Sequence, residues 1–403
     1  MKSEFFANNR QKILDVSDAD VLVFTANRRM QRNGDNTFHF RQDSSFWYLT
    51  GVNEPNFVLV ITKDRTYLIQ SQLSFAETIF DGVADSQALQ EVSGIADVFG
   101  NTKGWQELAT DLKEASIIGY IAPTKGSQVN FVLNDTRGQL LKRLKPLARK
   151  KASFKTLNAE ISALRVVKTD DEIRLIQKAV QATTEAFDKA LARTVVENYD
   201  HEYEVEAVFD YEFKKRGLSH AYAPIVASGK NACVLHYNAN TAPVHKNQLL
   251  LVDIGAEYSN YAADITRTVP VGTPTPRQLE VLEAVKDIQQ FALKGLKPGA
   301  SITDNEKAVE LYAGGVLQKL GLIQDISREQ IRRYYPHATS HFLGLDVHDV
   351  GDYRAPLAAN MVLTVEPGIY IPNEGIGVRI EDDVVITETG CRVLSRNLPS
   401  LLS

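Results

Sequence analysis

Three stretches of the chain set acids and histidines among apolar neighbours: LLLVDIGAEYSNYAADITRTVPV (249–271), SHFLGLDVHDVG (340–351) and MVLTVEPGIYIPNEGIGVRIEDDVVIT (361–387). A buried polar side chain without a partner costs about 1–3 kcal/mol, so such groups are either satisfied structurally or do chemistry. Folded about Ser259-Asn260, the first stretch reads as a hairpin in which Gly255 faces Asp264 and Asp253 points to the same face as Asp264. The two carboxylates then lie diagonally, roughly 5–8 Å apart. Folded about Asn373-Glu374, the third stretch puts Glu366 opposite Glu381, with Arg379 on their face as a bidentate partner for one carboxylate. Like charges gathered in a core repel unless a cation joins them. Two divalent ions would supply that charge, and a neutral imidazole, for which His341 is the candidate, adds a nitrogen ligand. Taken alone, HATSH (337–341) fits two satisfied core histidines equally well, and either aspartate could cap a turn; only the constellation points to a metal centre.

Side chains with such a task need a rigid frame. In the first part of the chain, strand-like runs (DVLVF at 20–24, FVLVI at 57–61, TYLIQ at 66–70, SIIGYIA at 116–122) alternate with helix-like ones such as GWQELATDLKEA (104–115). That rhythm predicts a mixed α/β domain. The basic run KRLKPLARKKASFK (142–155) reads as a solvated face or linker near a domain boundary. We place the boundary so that residues 1–158 form an amino-terminal domain and residues 159–403 a second one. TDDE (169–172) is a capping box that opens an amphipathic helix with Ile173, Ile176, Val180 and Phe187 on its apolar face. TPRQ (275–278) repeats the device with Pro276 in the first helical position, and that helix runs to LKGLKPG. With hairpins around these helices, the second domain reads as α+β.

At 403 residues, 44% hydrophobic and 24% charged with a net charge of −5, the chain is an ordinary globular protein long enough for two cores. Nothing in that balance points to nucleic acid or to a membrane surface. There is no Walker loop and no GxGxxG, which argues against a nucleotide cofactor. Cys233 and Cys391 are the only cysteines, which excludes a disulfide framework and suits a reducing compartment. MKSEFFANNRQKIL at the start holds no apolar run of signal-peptide length and no segment approaches a transmembrane span, so the expected location is the cytoplasm.

Four acids and one histidine in the order Asp, Asp, His, Glu, Glu resemble the ligand set of the pita-bread dinuclear metallopeptidases. VDIGAEYSNYAADITRT, SHFLGLDVHDVG, TVEPGIYI and GVRIEDDVVIT are similar to the metal-site motifs of the aminopeptidase P (Xaa-Pro aminopeptidase) family, and FRQDSSFWYLTGVNEP (40–55) is similar to a segment typical of that family's amino-terminal domains. The resemblance implies a creatinase-like amino-terminal domain, a pita-bread catalytic domain, two divalent metal ions with manganese the usual one, and a homo-oligomer, dimer or tetramer. It implies release of the first residue from peptides with proline second. Residue by residue, it implies that Asp253, Asp264, His341, Glu366 and Glu381 bind the metals, with Asp264 bridging both. His236, in VLHYN, and His348 would contact substrate, His337 would be a further active-site histidine, and Arg379 would support the ligands from behind. One departure stands out: where relatives carry a tryptophan contributed to a neighbouring subunit's site, SFAETIFDGV (74–83) has none, and the only tryptophans are Trp47 and Trp105.

Other readings stay open at this level. Prolidase, an Xaa-Pro dipeptidase, shares fold, ligands and histidines, but it must close its groove with a group for the proline carboxylate, normally an arginine. Within the metal-site motifs Arg379 is already assigned, and Arg267, at odd spacing from Asp264, aims at the opposite face. A methionine aminopeptidase does not account for the large first domain. A peptidase-like binding module without metals should lack ligands, and all five are present.

Overall fold

The computed structural model describes residues 1–123 and 135–399. The chain forms two compact units, Met1–Arg165 and Val166–Ser403. The division lies beyond the expected 158/159, and the basic run belongs wholly to the first unit: Lys142 and Arg143 close the helix Thr136–Leu144, and Ser153–Thr156 is a strand.

In the first unit a six-stranded mixed sheet runs in the order Asp97–Gly100, Thr66–Gln70, Phe57–Thr62, Val21–Thr25, Ile117–Tyr120, Ser153–Thr156. The central strands are continuous apolar runs because both their faces are covered, and Leu22, Val23, Leu59 and Val60 are fully buried. Basic residues collect around the last strand, which ends the sheet, and charge there discourages pairing with another chain. The FRQDSSFWYLTG stretch is the helix Ser44–Thr50, capped by Asp43, which accepts from the Ser45 and Phe46 amides, and closed by Gly51 in the left-handed conformation at φ 71°. A short helix, Phe75–Phe80, leaves Phe75, Ile79 and Phe80 exposed.

The second unit opens on the helix Asp170–Ala190. Its capping box closes as expected, Thr169 accepting from the Glu172 amide and the Glu172 carboxylate from the Thr169 amide. Ile173, Ile176, Val180 and Phe187 are all buried. The helix Pro276–Gly295 uses Thr275 and Gln278 in the same way. These helices cover two long hairpins. In the first, Tyr258 pairs with Tyr261 around a two-residue turn in which Ser259 and Asn260 both adopt positive φ, 48° and 67°. A turn of that kind matches the strand twist and fixes the register. Asp253 therefore lies opposite Thr266 and Ile254 opposite Ile265, the register expected from the sequence. In the second hairpin the pairing of Ile371 with Ile376, Gly368 with Arg379 and Val365 with Asp382 also centres on Asn373-Glu374, so Glu366 faces Glu381. Its loop is wider than two residues, because Pro372, which would face Gly375 across a two-residue turn, has no N–H to give to that pair; the turn closes by bonds from the Glu374 amide to the Ile371 carbonyl and from the Gly375 amide to the Pro372 carbonyl.

Both ladders break where the acids stand. Gly255 and Asp264 fall between the paired segments 248–254/265–271 and 256–258/261–262, and Glu366-Pro367 falls between 362–365 and 368–371. A Cβ at Gly255 would overlap the backbone carbonyl of Ala263, which shares its peptide plane with the Asp264 amide and is held by that amide's hydrogen bond to Asp383. The two hairpins then join edge to edge: the Glu381 amide donates to the Thr266 carbonyl at 3.1 Å, the Arg379 amide to Thr268 Oγ1 at 3.2 Å, and the Asp264 amide to Asp383 Oδ2 at 3.1 Å. Gly255→Ala is expected to destabilise the second unit by about 1–3 kcal/mol, the usual cost of overpacking against rigid backbone. Urea unfolding measures it, and an unchanged midpoint would contradict the close approach.

Candidate active site

The junction of the hairpins opens into a cavity of about 840 Å³, and all nine residues singled out in the sequence line it: Asp253, Asp264, Glu366, Glu381, His341, His337, His348, His236 and Arg379. Oxygens of Asp264 and Glu381 and a nitrogen of His341 lie within 4.8 Å of one another. His341 Nε2 is 3.5 Å from Asp264 Oδ2 and 3.3 Å from Glu366 Oε1. Its other ring nitrogen, Nδ1, meets the Phe342 carbonyl at 3.0 Å. A carbonyl only accepts, so Nδ1 carries hydrogen and Nε2 is the atom turned to the acids.

Arg379 does not hold Glu366 or Glu381 in the bidentate contact expected from the sequence. Its Nη2 meets Asp253 Oδ2 at 2.5 Å, Nη1 donates to the Tyr370 hydroxyl at 2.8 Å, and Nε donates to Thr266 Oγ1 at 3.1 Å. Thr266 in turn donates to Glu381 Oε2 at 2.6 Å, so the guanidinium reaches that acid through a hydroxyl. The strand pairing explains the difference: Thr266, directly across from Asp253, stands between the arginine and Glu381. Tyr222 donates to Asp253 Oδ1 at 2.6 Å, so both oxygens of that carboxylate are held. Tyr222, Thr266 and Tyr370 were missed in the sequence. Thr266 was legible from the register, while Tyr222 lies in an irregular segment with no period to mark it.

The remaining histidines differ in their freedom. His337 has both ring nitrogens engaged, Nδ1 with the Ala338 carbonyl and Nε2 with the Tyr370 hydroxyl, each at 2.8 Å. His348 packs edge-on against His341 with ring centroids 4.5 Å apart, and His236 lies exposed on the cavity wall. Burial, then the nearby His341 charge, lowers the pKa of His348, and burial lowers that of His337, so both imidazoles are neutral donors or acceptors. The SHFLGLDVHDVG loop is fastened by an ion pair between Lys168 Nζ and Asp349 Oδ2 at 3.1 Å, with both side chains 1% exposed. Breaking such a buried pair typically costs about 3–5 kcal/mol.

Left to the protein's own charges, three of these acids are pushed toward their neutral forms. Burial, then the charges of Asp253 and Glu366, pushes Asp264 up to about 6 against its hydrogen bond with His341. Burial and the charges of Asp264, Glu366 and Asp253 raise Glu381 well above the usual carboxylate range. Burial and Asp264 do the same to Asp383, whose Oδ1 is buried without a hydrogen-bond partner. Burial would lower His341, but its contacts with Asp264 and Glu366 raise it well above the ordinary imidazole value. Glu366 is held at about 2 because the His341 contact and the charges of His341, His337 and Arg379 outweigh its burial. A donor set of carboxylate oxygens and one imidazole nitrogen, short of positive charge, fits divalent cations.

The geometry agrees with what the chain resembles among known proteins. Residues 174–388 match metallopeptidase family M24, and residues 6–118 match the aminopeptidase P N-terminal domain. The chain belongs to metallopeptidase family M24. Its relatives match nearly its whole length: it is 33% identical to the Xaa-Pro aminopeptidase of Haemophilus influenzae over 99% of this chain and 95% of that one, and 33% identical to the Xaa-Pro aminopeptidase of Escherichia coli over 96% and 92%. Among solved structures, aminopeptidase P from E. coli with the inhibitor Pro-Leu superposes with a TM-score of 0.85 at 31% identity, covering 99% of this chain and 96% of that one. The aminopeptidase PepP of Pseudomonas aeruginosa gives a TM-score of 0.88 at 30% identity with the same coverage. The mixed α/β first unit and the pita-bread second unit expected from the sequence are thus the fold of this M24 chain.

Because His341, Glu381 and Asp264 hold protons in competition with any cation, uptake of a divalent ion by this M24 chain must release them. Lowering the pH fills those sites with protons and weakens binding; raising it strengthens binding. Titration calorimetry with Mn²⁺ in buffers of different protonation enthalpy should show net proton release and an affinity that climbs between about pH 6 and pH 8. A flat affinity with no proton release would contradict the protonation assigned to the cluster.

Proposed function

We propose that this chain is a metal-dependent aminopeptidase that releases the amino-terminal residue from peptides with proline in the second position, with Mn²⁺ as its working ion. The observation that carries the reading is the convergence of Asp253, Asp264, His341, Glu366 and Glu381 on one cavity wall, within a chain whose full-length relatives are Xaa-Pro aminopeptidases. Those five side chains would hold two divalent cations, and an oxygen-rich set with one imidazole suits Mn²⁺. Cations bound there polarise a peptide carbonyl and bring the pKa of water toward neutrality.

The chain's own residues do the rest. Glu366, which lies 3.3 Å from His341, takes the proton of the attacking water and delivers it to the departing proline nitrogen. His348 and His236, whose ring nitrogens meet no hydrogen-bond partner among the described residues, donate to the substrate carbonyls and to the oxygen that gains charge as the bond breaks, a role worth about 3 kcal/mol per donor. Arg379, Thr266 and Tyr222 fix the orientation of Asp253 and Glu381. The assembly expected from the resemblance, a dimer or tetramer, is measured on the same preparation by light scattering.

An aminopeptidase must leave room beyond the proline ring, whereas a dipeptidase must clamp the proline carboxylate there. Among the described residues that line the cavity, Arg379 is the only arginine or lysine, and its nitrogens are taken by Asp253, Tyr370 and Thr266. Arg267 faces away, fully buried against Asp382 and the Glu381, Leu398 and Pro399 carbonyls. The cavity therefore offers no free cation for a dipeptide's carboxylate.

His341→Ala should lose bound metal. His348→Ala should keep it and lose roughly 100-fold or more in kcat/KM; equal metal loss in both, measured by elemental analysis, would contradict the separate roles. The activity itself is tested by kcat/KM of Mn²⁺-loaded protein on a tripeptide Xaa-Pro-Yaa, the dipeptide Xaa-Pro and the control Xaa-Ala-Yaa. The tripeptide with proline should be preferred over both, and a preference for the dipeptide would move the assignment to prolidase.

A further inference from the structure

His236 stands in an irregular segment between the 3-10 turn Gly229–Cys233 and the strand Gln248–Ile254. A side chain on such a segment is placed only as well as its backbone is tied, and here one buried carboxylate gathers four of the ties. Glu202, the first residue of the helix Glu202–Lys214, is 0% exposed. Its Oε1 accepts from the Ser228 amide at 2.8 Å and from Asn231 Nδ2 at 3.1 Å. Its Oε2 accepts from the Tyr237 hydroxyl at 2.8 Å and from the Ala242 amide at 2.9 Å. Its own amide donates to the Ala242 carbonyl at 3.0 Å. The partners bracket His236 on both sides, and Tyr237 is the next residue in the chain.

We propose that Glu202 is a positioning residue for His236, acting through Tyr237 and the backbone of residues 228–242 to set the imidazole on the cavity wall. The inference rests on the reading of His236 as a substrate donor. A carboxylate is the group the place requires. Four donors converge on its two oxygens, and an amide of the same shape would turn its NH₂ toward two of them. The start of a helix also favours the negative charge. Without the hub, Ser228 and Ala242 keep neighbours of their own and the Tyr237 ring keeps its packing against Ile225, Ala227 and Leu251, but its hydroxyl loses its bond to the start of the helix; a displacement of about 1 Å at a donor is enough to cost two orders of magnitude in rate.

The test uses the full-length, Mn²⁺-loaded protein on the Xaa-Pro-Yaa tripeptide, with Glu202→Gln, Tyr237→Phe, His236→Ala and the two double variants that include His236→Ala. Metal content and Tm are recorded for each. Glu202→Gln and Tyr237→Phe should each lower kcat/KM about 10-fold or more with metal content unchanged, and each should lose most of its effect in the His236→Ala background. If Glu202→Gln does not fold, Tyr237→Phe, which removes a single hydroxyl, decides alone. Losses that multiply in the double variants, or a lowered Tm at unchanged kcat/KM, would overturn the positioning role while leaving the peptidase reading intact. An unchanged kcat/KM in His236→Ala itself would overturn the role of His236 and this inference with it.

Discussion

Repulsion among buried carboxylates is what the second unit is built to contain. Asp253, Asp264, Glu381 and Asp383 are each at most 7% exposed, and Glu366 completes the group from the facing arm. Moving one such charge out of water costs several kcal/mol, and placing a second of the same sign beside it costs more. The protein's own positive groups, Arg379 and His341, answer only part of this, which is why Asp264, Glu381 and Asp383 are pushed toward their neutral forms. Stable packing elsewhere offsets that cost: the core under the second hairpin runs through Val285, Ile288, Leu363, Val378 and Val384, all at 0% exposure.

The same constraint shapes the supporting cast. Three of the acids that face the cavity are held by a neutral or positive donor: Tyr222 and Arg379 on Asp253, Thr266 on Glu381 and Thr364 on Glu366, while His341 stands beside Asp264 and Glu366 in the cavity itself. The breaks in the two ladders, at Gly255 and Pro367, leave Asp264, Glu366 and Glu381 outside the paired segments, so that they turn into one volume with Asp253, which projects from a paired position. The loop carrying His341 and His348 is irregular and therefore needs an anchor, and the buried Lys168–Asp349 pair supplies one.

What could be read in the sequence was what alternation and turn chemistry control. Ser259-Asn260 can take positive φ, so the first hairpin has one register, and with a side-chain period of two that register puts Asp253 and Asp264 on a common face. The second hairpin kept its centre although its loop is wider, because the four residues 372–375 are centred on the same pair, Asn373-Glu374, as a two-residue turn would be. The capping boxes at Thr169 and Thr275 were equally local, and so were visible. The partner of Arg379 was not, because it sits on the other hairpin, and edge-to-edge joining of two hairpins leaves no periodic trace in either. Tyr370 was missed because an aromatic ring among apolar residues reads as core until its hydroxyl has a partner, and Tyr222 because its segment is irregular. The ligand set itself was recognised by resemblance, with the paired acids as its physical counterpart.

The central claim is that the acid cluster is unstable alone and made whole by divalent cations. The direct measurement is equilibrium unfolding of the chelator-treated chain at about pH 8, with and without Mn²⁺, for the wild type and Glu381→Gln. If the account holds, Mn²⁺ stabilises the wild type by an amount that grows with its concentration. The chelated Glu381→Gln chain, relieved of one buried charge, is at least as stable as the chelated wild type and gains less from Mn²⁺. Equal stabilisation of both chains, or none of either, would contradict it.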